Sequence, residues 1–184
     1  MIFDYPGYDL QFIQKRKVKD GSAHLFSFLY KFYSPITELQ YVLTADYHEG
    51  NFFAIKFYAK MHRKSDFKYS LITNKGDVGN LLVTCLKCVP LLLETHPTAS
   101  FGFVGARTYD KGSRKLEDYA NTQRFRIYRE FVAMKIGADI FKHYEYEDIS
   151  GYLLVNRQCG MNVDAKEREL VTILAETYND LPNP

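Results

Sequence analysis

A chain of 184 residues and 21.5 kDa has the size of one ordinary domain and can bury a core without disulfides or a metal. Its 46% hydrophobic content, with 14 Phe and 15 Tyr, excludes a disordered chain, and 24 basic against 22 acidic residues, a formal charge of +2, excludes the strongly basic make-up of a dedicated nucleic-acid binder. The longest near-apolar stretch, 81–93, is interrupted by Thr84, Lys87 and Pro90, which falls short of the roughly 18 residues of a membrane span, so no membrane partner is expected.

The first residues, Met1, Ile2, Phe3 and Asp4, carry neither a secretory signal nor an Arg-rich transit pattern. With only three Cys, a reducing cytoplasm is expected rather than a disulfide framework. Residues 1–24 read as an N-terminal extension. Residues 25–33 alternate as a strand, with Phe26, Phe28, Tyr30 and Phe32 on one face and Pro35 as its end. The β-rich runs 39–47 and 52–61 flank His48, Glu49, Gly50 and Asn51 and predict a hairpin, with Gly50 available for a positive φ. A further strand is predicted over 67–73. Residues 78–89 are apolar on nearly every face, as in a buried helix, and Pro90 predicts its kink or end.

Residues 100–106 (SFGFVGA) predict a central strand, and 108–117 a loop. Asn121 or Thr122 is a candidate cap for a helix to about Ile136, with Phe125, Tyr128, Val132 and Ile136 on its buried face and Gly137 as its stop. Residues 140–146 and 151–156 read as two strands. Asp164 and Glu167 have capping-box spacing for a last helix within 160–184. With no repeat or flexible linker, the order ββββ-α-β-α-ββ-α predicts a single α+β domain, residues 1–184, with a mixed, mostly antiparallel sheet carrying packed helices.

Charge is unevenly spread. Residues 139–184 carry −5, from four basic and nine acidic side chains, so the first 138 carry +7. Basic clusters stand at Lys15, Arg16, Lys17 and Lys19, at His62, Arg63 and Lys64, and between Arg107 and Arg129. Exposed runs of this kind are ordinarily solvated surface.

Few constellations carry chemistry. Cys85 and Cys88 form a CxxC inside the predicted helix, without a helix N-terminus to activate a thiol or a second ligand pair, so core packing is expected. The five His are dispersed, and no metal site is expected. Neither a GxSxG elbow nor a P-loop is present. Glu145 and Glu147 share a face if their strand extends that far and are candidate acid/base carboxylates.

The most informative segment is 121–131, NTQRFRIYREF, in which Asn121 is followed at the sixth and seventh positions by Ile127 and Tyr128. This segment resembles the fifth-strand and fourth-helix region of the GNAT superfamily of acyl-CoA N-acyltransferases. The order of elements over residues 38–157 is also similar to that fold, with GYLLVN at 151–156 as its last strand. The resemblance implies acetyl-CoA or another acyl-CoA as donor and an amine as acceptor. Tyr128 would be the acid that protonates the departing thiolate, Asn121 a pantetheine contact, and Glu145 or Glu147 the base for the amine.

The family's pyrophosphate turn would correspond to TNKGDVGN at 73–80, making Lys75, Gly76 and Gly79 candidate cofactor-binding residues. There Gly76 and Gly79 are spaced one residue too far, Thr73 replaces the usual Gln or Arg, and Asp77 places a carboxylate where a phosphate would lie, which Lys75 would have to offset. The two N-terminal helices of the family's acceptor site have no counterpart. The chain also resembles small uncharacterised bacterial families with Gly-Asp before a helix and an Arg-rich helix containing Tyr.

The leading expectation is therefore a GNAT-like N-acyltransferase, possible degeneration included. The alternative is a non-catalytic binding module of the same fold, whose surface at Arg107, Arg114, Lys115, Arg124, Arg126 and Arg129 holds an anionic ligand, a nucleic acid or an acidic protein. A third is a structural protein that oligomerises through its aromatic first strand.

Overall fold

Alternating aromatic side chains build the first half of the sheet. In the computed structural model, which describes residues 4–71, 76–104, 107, 109–110 and 112–178, strands β1 (Gln11–Lys17), β2 (His24–Ser34), β3 (Leu39–His48) and β4 (Phe52–Ala59) form an antiparallel meander. Phe26, Phe28, Tyr30 and Phe32 do share the core face of β2. At the β3–β4 turn, Gly50 and Asn51 take φ values of 80° and 54°.

After β4 the chain forms a 3-10 turn at Lys60–His62 and crosses through α1 (Val78–Leu86) and α2 (Cys88–Thr95) to β5 (Ser100–Val104). Strand β5 pairs parallel to β4, as a helical crossover permits. A two-residue hairpin follows, β6 (Tyr109–Asp110) and β7 (Lys115–Leu116), then α3 (Gln123–Lys135), the antiparallel pair β8 (Phe141–Tyr146) and β9 (Gly151–Asn156), and α4 (Val163–Thr177). The main sheet has the order β1-β2-β3-β4-β5-β9-β8, giving one α+β domain with a mixed seven-stranded sheet. Helices α1, α2 and α3 bury one face of it, around Leu43, Phe53, Phe101, Phe103 and Leu154. Helix α4 covers the other over Phe52, Ala54, Leu153 and Val155.

Several local expectations are corrected. Residues 66–70 form turns instead of a strand over 67–73, with backbone bonds Ser70 N to Phe67 O and Leu71 N to Phe67 O; only Leu71 bridges, to Tyr109, and 72–73 lie outside the described residues. Pro90 breaks the apolar helix as expected, but upstream of its own position. It sits in the first turn of α2, where its missing N–H is harmless, and the helix breaks earlier, at Lys87, because the ring would collide with the carbonyl of Leu86. Together the two helices span an apolar Val78–Thr95 of 18 residues with mean hydropathy 1.4, long enough by composition to cross a membrane, yet 61% buried inside this fold.

The cap of α4 is Asn162, whose side chain accepts from Ala165 N at 3.0 Å, rather than Asp164. Thr122 caps α3 in the same way, accepting from Phe125 N. The first 24 residues contain the edge strand β1, all of it exposed, so the aromatic β2 is internal and not available to a neighbour. Lys15, Arg16 and Lys17 blunt the edge instead.

Candidate functional site

Parallel pairing between β4 and β5 lasts four register pairs, from Phe52↔Ser100 to Ile55↔Phe103. Beyond it β4 continues to Ala59 on β3 alone, and Val104 pairs only with Gly151. Where the two strands part lies a cavity of about 490 Å³, the size of an ordinary small-ligand site. Its wall takes side chains from both faces of the sheet: Ile55, Phe103, Arg124 and Tyr128 from the α3 side, and Lys56, Val104, Leu174 and Tyr178 from the α4 side. Turn residues Asp66, Phe67, Tyr69 and Ser70, together with Arg107, Leu116 and Tyr119, line the rest of its described wall.

Gly102 makes room for this packing. A Cβ there would stand 2.5 Å from Cζ of Phe52 and 3.1 Å from Cδ2 of Leu153.

Tyr128 is 4% exposed, packs against Phe103 with ring centroids 5.6 Å apart, and has no hydrogen bond to its hydroxyl among the described residues. Burial pushes its hydroxyl well above the ordinary tyrosine range, so it stays protonated at neutral pH. One turn earlier, Arg124 donates from its two terminal nitrogens to the carbonyls of Tyr69 and Leu71, the second at 3.1 Å. Arg124 is thus a half-buried strut holding the 66–71 segment to α3, not part of an exposed basic surface.

The other cations are dispersed. Arg107 donates Nε to Glu117 O at 2.6 Å and lies over the Tyr119 ring. Arg114 and Lys115 are exposed on the small hairpin. Arg126 bonds Asn121 O at 2.5 Å, and Arg129 lies over Phe125, 3.9 Å from Glu145.

On the α4 side a buried chain of polar groups supports Lys56. Its Nζ meets Asp46 Oδ2 at 2.7 Å; Ser27 Oγ donates to Asp46 Oδ1 at 2.6 Å and stands 2.9 Å from His24 Nε2. Burial pushes the Asp46 carboxyl up, but the Lys56 ammonium and the hydrogen bonds from Lys56 and Ser27 outweigh it and hold the carboxyl below its usual range. Burial lowers Lys56, and Asp46 more than reverses this. Ser27, with no exposed surface, is sealed from any substrate, so the Ser, His and Asp here are a structural network. The sequence held a signal for it: Asp46 and Lys56 are lone charges in otherwise apolar strands, and the hairpin register sets them diagonally on one face.

The remaining expected residues lie apart from the cavity. Asn121 has φ 48°, donates its N–H to Glu147 O at 2.8 Å, and keeps a buried Oδ1 without a partner among the described residues; it is not in the cavity wall. Strand β8 stops at Tyr146, so Glu145 and Glu147 do not share a strand face. Glu145 is exposed beside Arg129, and Glu147 belongs to a 3-10 turn. Cys85 and Cys88 are buried free thiols flanking the α1–α2 break, and burial raises both. Among the described residues, no group of three or more His, Cys, Asp or Glu is placed to hold a metal ion.

In the described part of the turn before α1, residues 76–80, Gly79 and Asp77 leave no room for a diphosphate beside them. The Tyr5 ring fills the space over Gly79, where a Cβ would meet it at 2.5 Å. The Asp77 carboxylate is buried at the helix N-terminus, accepting from Tyr8 Oη at 2.8 Å, from Asn80 Nδ2 at 2.8 Å and from Ser34 Oγ. Gly76 has a positive φ and open space around it, and Lys75 lies outside the described residues. No family model matches the chain, nor does any curated protein or solved structure.

Proposed function

We propose that the protein is a GNAT-like N-acyltransferase, moving an acyl group from a thioester such as acetyl-CoA to an amine at the cavity where β4 and β5 part. The observation that carries this reading is that Tyr128, its hydroxyl held protonated, lines a cavity bounded by two diverging parallel strands. Diverging strands leave main-chain N–H and C=O groups without a ladder partner, and the amide-bearing arm of a pantetheine thioester can satisfy them. The order within residues 38–157, two antiparallel strands, helices, a parallel strand, a small hairpin, a helix and a final strand pair, supports the resemblance.

In this reading the free amine attacks the thioester carbonyl and the C–S bond breaks. The departing thiolate takes a proton from Tyr128, and the proton released by the amine returns to Tyr128 through water. Glu145 and Glu147 stand outside the cavity and take no part in this scheme. The donor is held by its thioester arm, because Tyr5 fills the space over Gly79.

The test is thiol release from acetyl-CoA over a panel of amines. Tyr128→Phe should lower turnover roughly a hundredfold while donor binding is retained, the usual size of a general-acid effect. Equal turnover in the variant, or no thiol release and no donor binding in the parent protein, would overturn the reading.

A further inference from the structure

The cavity wall carries three cations whose surroundings differ. Lys56 is neutralised by Asp46. Arg107 has a carbonyl and an aromatic ring for partners, and Arg124 two backbone carbonyls. Neither guanidinium has a carboxylate within ion-pair distance among the described residues. Glu117, the acid that acts on Arg124 from further off, accepts with its carboxylate from Gln123 N at 2.9 Å. Asp66 is the one acidic residue in the described wall. Arg107 and Arg124 therefore line the cavity without a carboxylate in direct contact among the described residues.

Both guanidiniums are half-buried among apolar side chains, where an anion held by them is more strongly attracted than it would be in open water. Arg124 is also anchored: its two carbonyl bonds fix the plane of the guanidinium while leaving further N–H donors for a ligand, and a fixed guanidinium plane matches the two oxygens of a carboxylate. Around it the wall is aromatic and aliphatic, from Phe57, Phe103, Tyr69, Tyr119, Leu116 and Leu174.

We infer that this cavity binds an apolar or aryl carboxylate, its carboxylate paired with Arg124 and Arg107 and its body against the aromatic wall. The guanidinium fork matches the two oxygens of a carboxylate, and the aromatic and aliphatic wall matches an apolar body. The inference rests on the seam cavity being the functional site, as proposed above, and adds that a substrate there carries a carboxylate, on either the acyl or the amine component.

Isothermal titration and thermal shift with the whole protein test it, using 4-phenylbutyrate and decanoate, their uncharged amides, and decyl phosphate. The carboxylates should bind at least tenfold more tightly than the amides, and Arg107→Gln should lose at least tenfold in carboxylate affinity while its melting temperature without ligand stays near that of the parent. Arg124→Lys, which keeps the charge but not the fork, should bind more weakly than the parent. Equal affinity for acids and amides, tighter binding of decyl phosphate, or no binding of any probe to folded protein would each overturn the inference. These probes contain no thioester, so their outcome is independent of thiol release. Carboxylate binding without transfer would keep this inference and remove the acyltransferase, and transfer with equal binding of acids and amides would do the reverse. Under transfer, the two sources separate by comparing dicarboxylic monothioesters against acetyl thioester, and amino acids against simple amines.

Discussion

The hydroxyl of Tyr178 lies 3.0 Å from Nε2 of His48, joining positions 130 residues apart in the chain. The other ring nitrogen of His48 stands 2.8 Å from the Asp46 carbonyl. An imidazole between a carbonyl and a phenol is satisfied while neutral: one nitrogen donates and the other accepts. Through this bond the end of α4 is fastened to β3 beside the Lys56 cation, and the Tyr178 hydroxyl is pushed up to about 12, burial being the main cause. Tyr178→Phe should lower stability by about 1 kcal/mol in urea denaturation, the net worth of one buried hydrogen bond.

Burial, aided by the neighbouring His24 and opposed by Asp46, depresses His48 to about 4 from its usual 6.5. Between those values the unfolded chain takes up a proton that the folded chain refuses, so stability must fall as pH drops from about 6.5 to about 4. The full effect is about 3 kcal/mol, at 1.36 kcal/mol per unit. Burial also depresses His96 and His143, adding slope of the same sign. Denaturation midpoints at pH 7 and pH 4.5 in the parent and in His48→Gln isolate the contribution: the variant should show a visibly shallower fall, and an unchanged slope would remove His48 as its source.

Asp77 gathers donors from Tyr8, Ser34 and Asn80 in a buried pocket. Asp77→Ala strands three polar groups and should cost about 3 kcal/mol, or roughly 6–12 °C in melting temperature for a domain of this size. Carboxylate binding in the cavity should be unchanged in the variant at temperatures where it stays folded, because the network lies over β2, with β3 and β4 between it and the seam.

Gly102→Ala would press a methyl group into the Phe52 ring and should destabilise by about 1–3 kcal/mol, as overpacked cores do. Phe52→Leu in the same chain should recover part of that loss, read by chemical denaturation. A glycine whose replacement cost nothing would imply a looser seam than the one described.

The fold was legible where physics is local. Strand β2 announces itself by aromatic alternation, the β3–β4 hairpin by Gly50, and α3 by the hydroxyl of Thr122. Strand β1 was not, because QFIQKRK lies on an edge with both faces exposed and so carries no apolar period. The 66–71 segment misled for a related reason: Phe67 and Tyr69 read as strand aromatics, yet Phe67 stacks on Tyr109 and Tyr69 meets Tyr58 edge-on, which pattern alone does not reveal.

Tyr128, singled out by the resemblance, is among the residues that line the cavity. Arg124 was read as one of a surface run because a count of charges holds no information about depth. Glu145 and Glu147 were joined by an assumed strand that the 3-10 turn at Glu147–Ile149 interrupts.

The seven strands amount to two antiparallel plates, β1 to β4 and β5 with β9 and β8, riveted edge to edge by only the four register pairs that end at Ile55 and Phe103. Any molecule seated at the end of that short weld touches both plates at once. Its arrival must therefore slow their parting, and amide hydrogen exchange at Ile55 and Phe103 would report occupancy of the cavity before any chemistry is known.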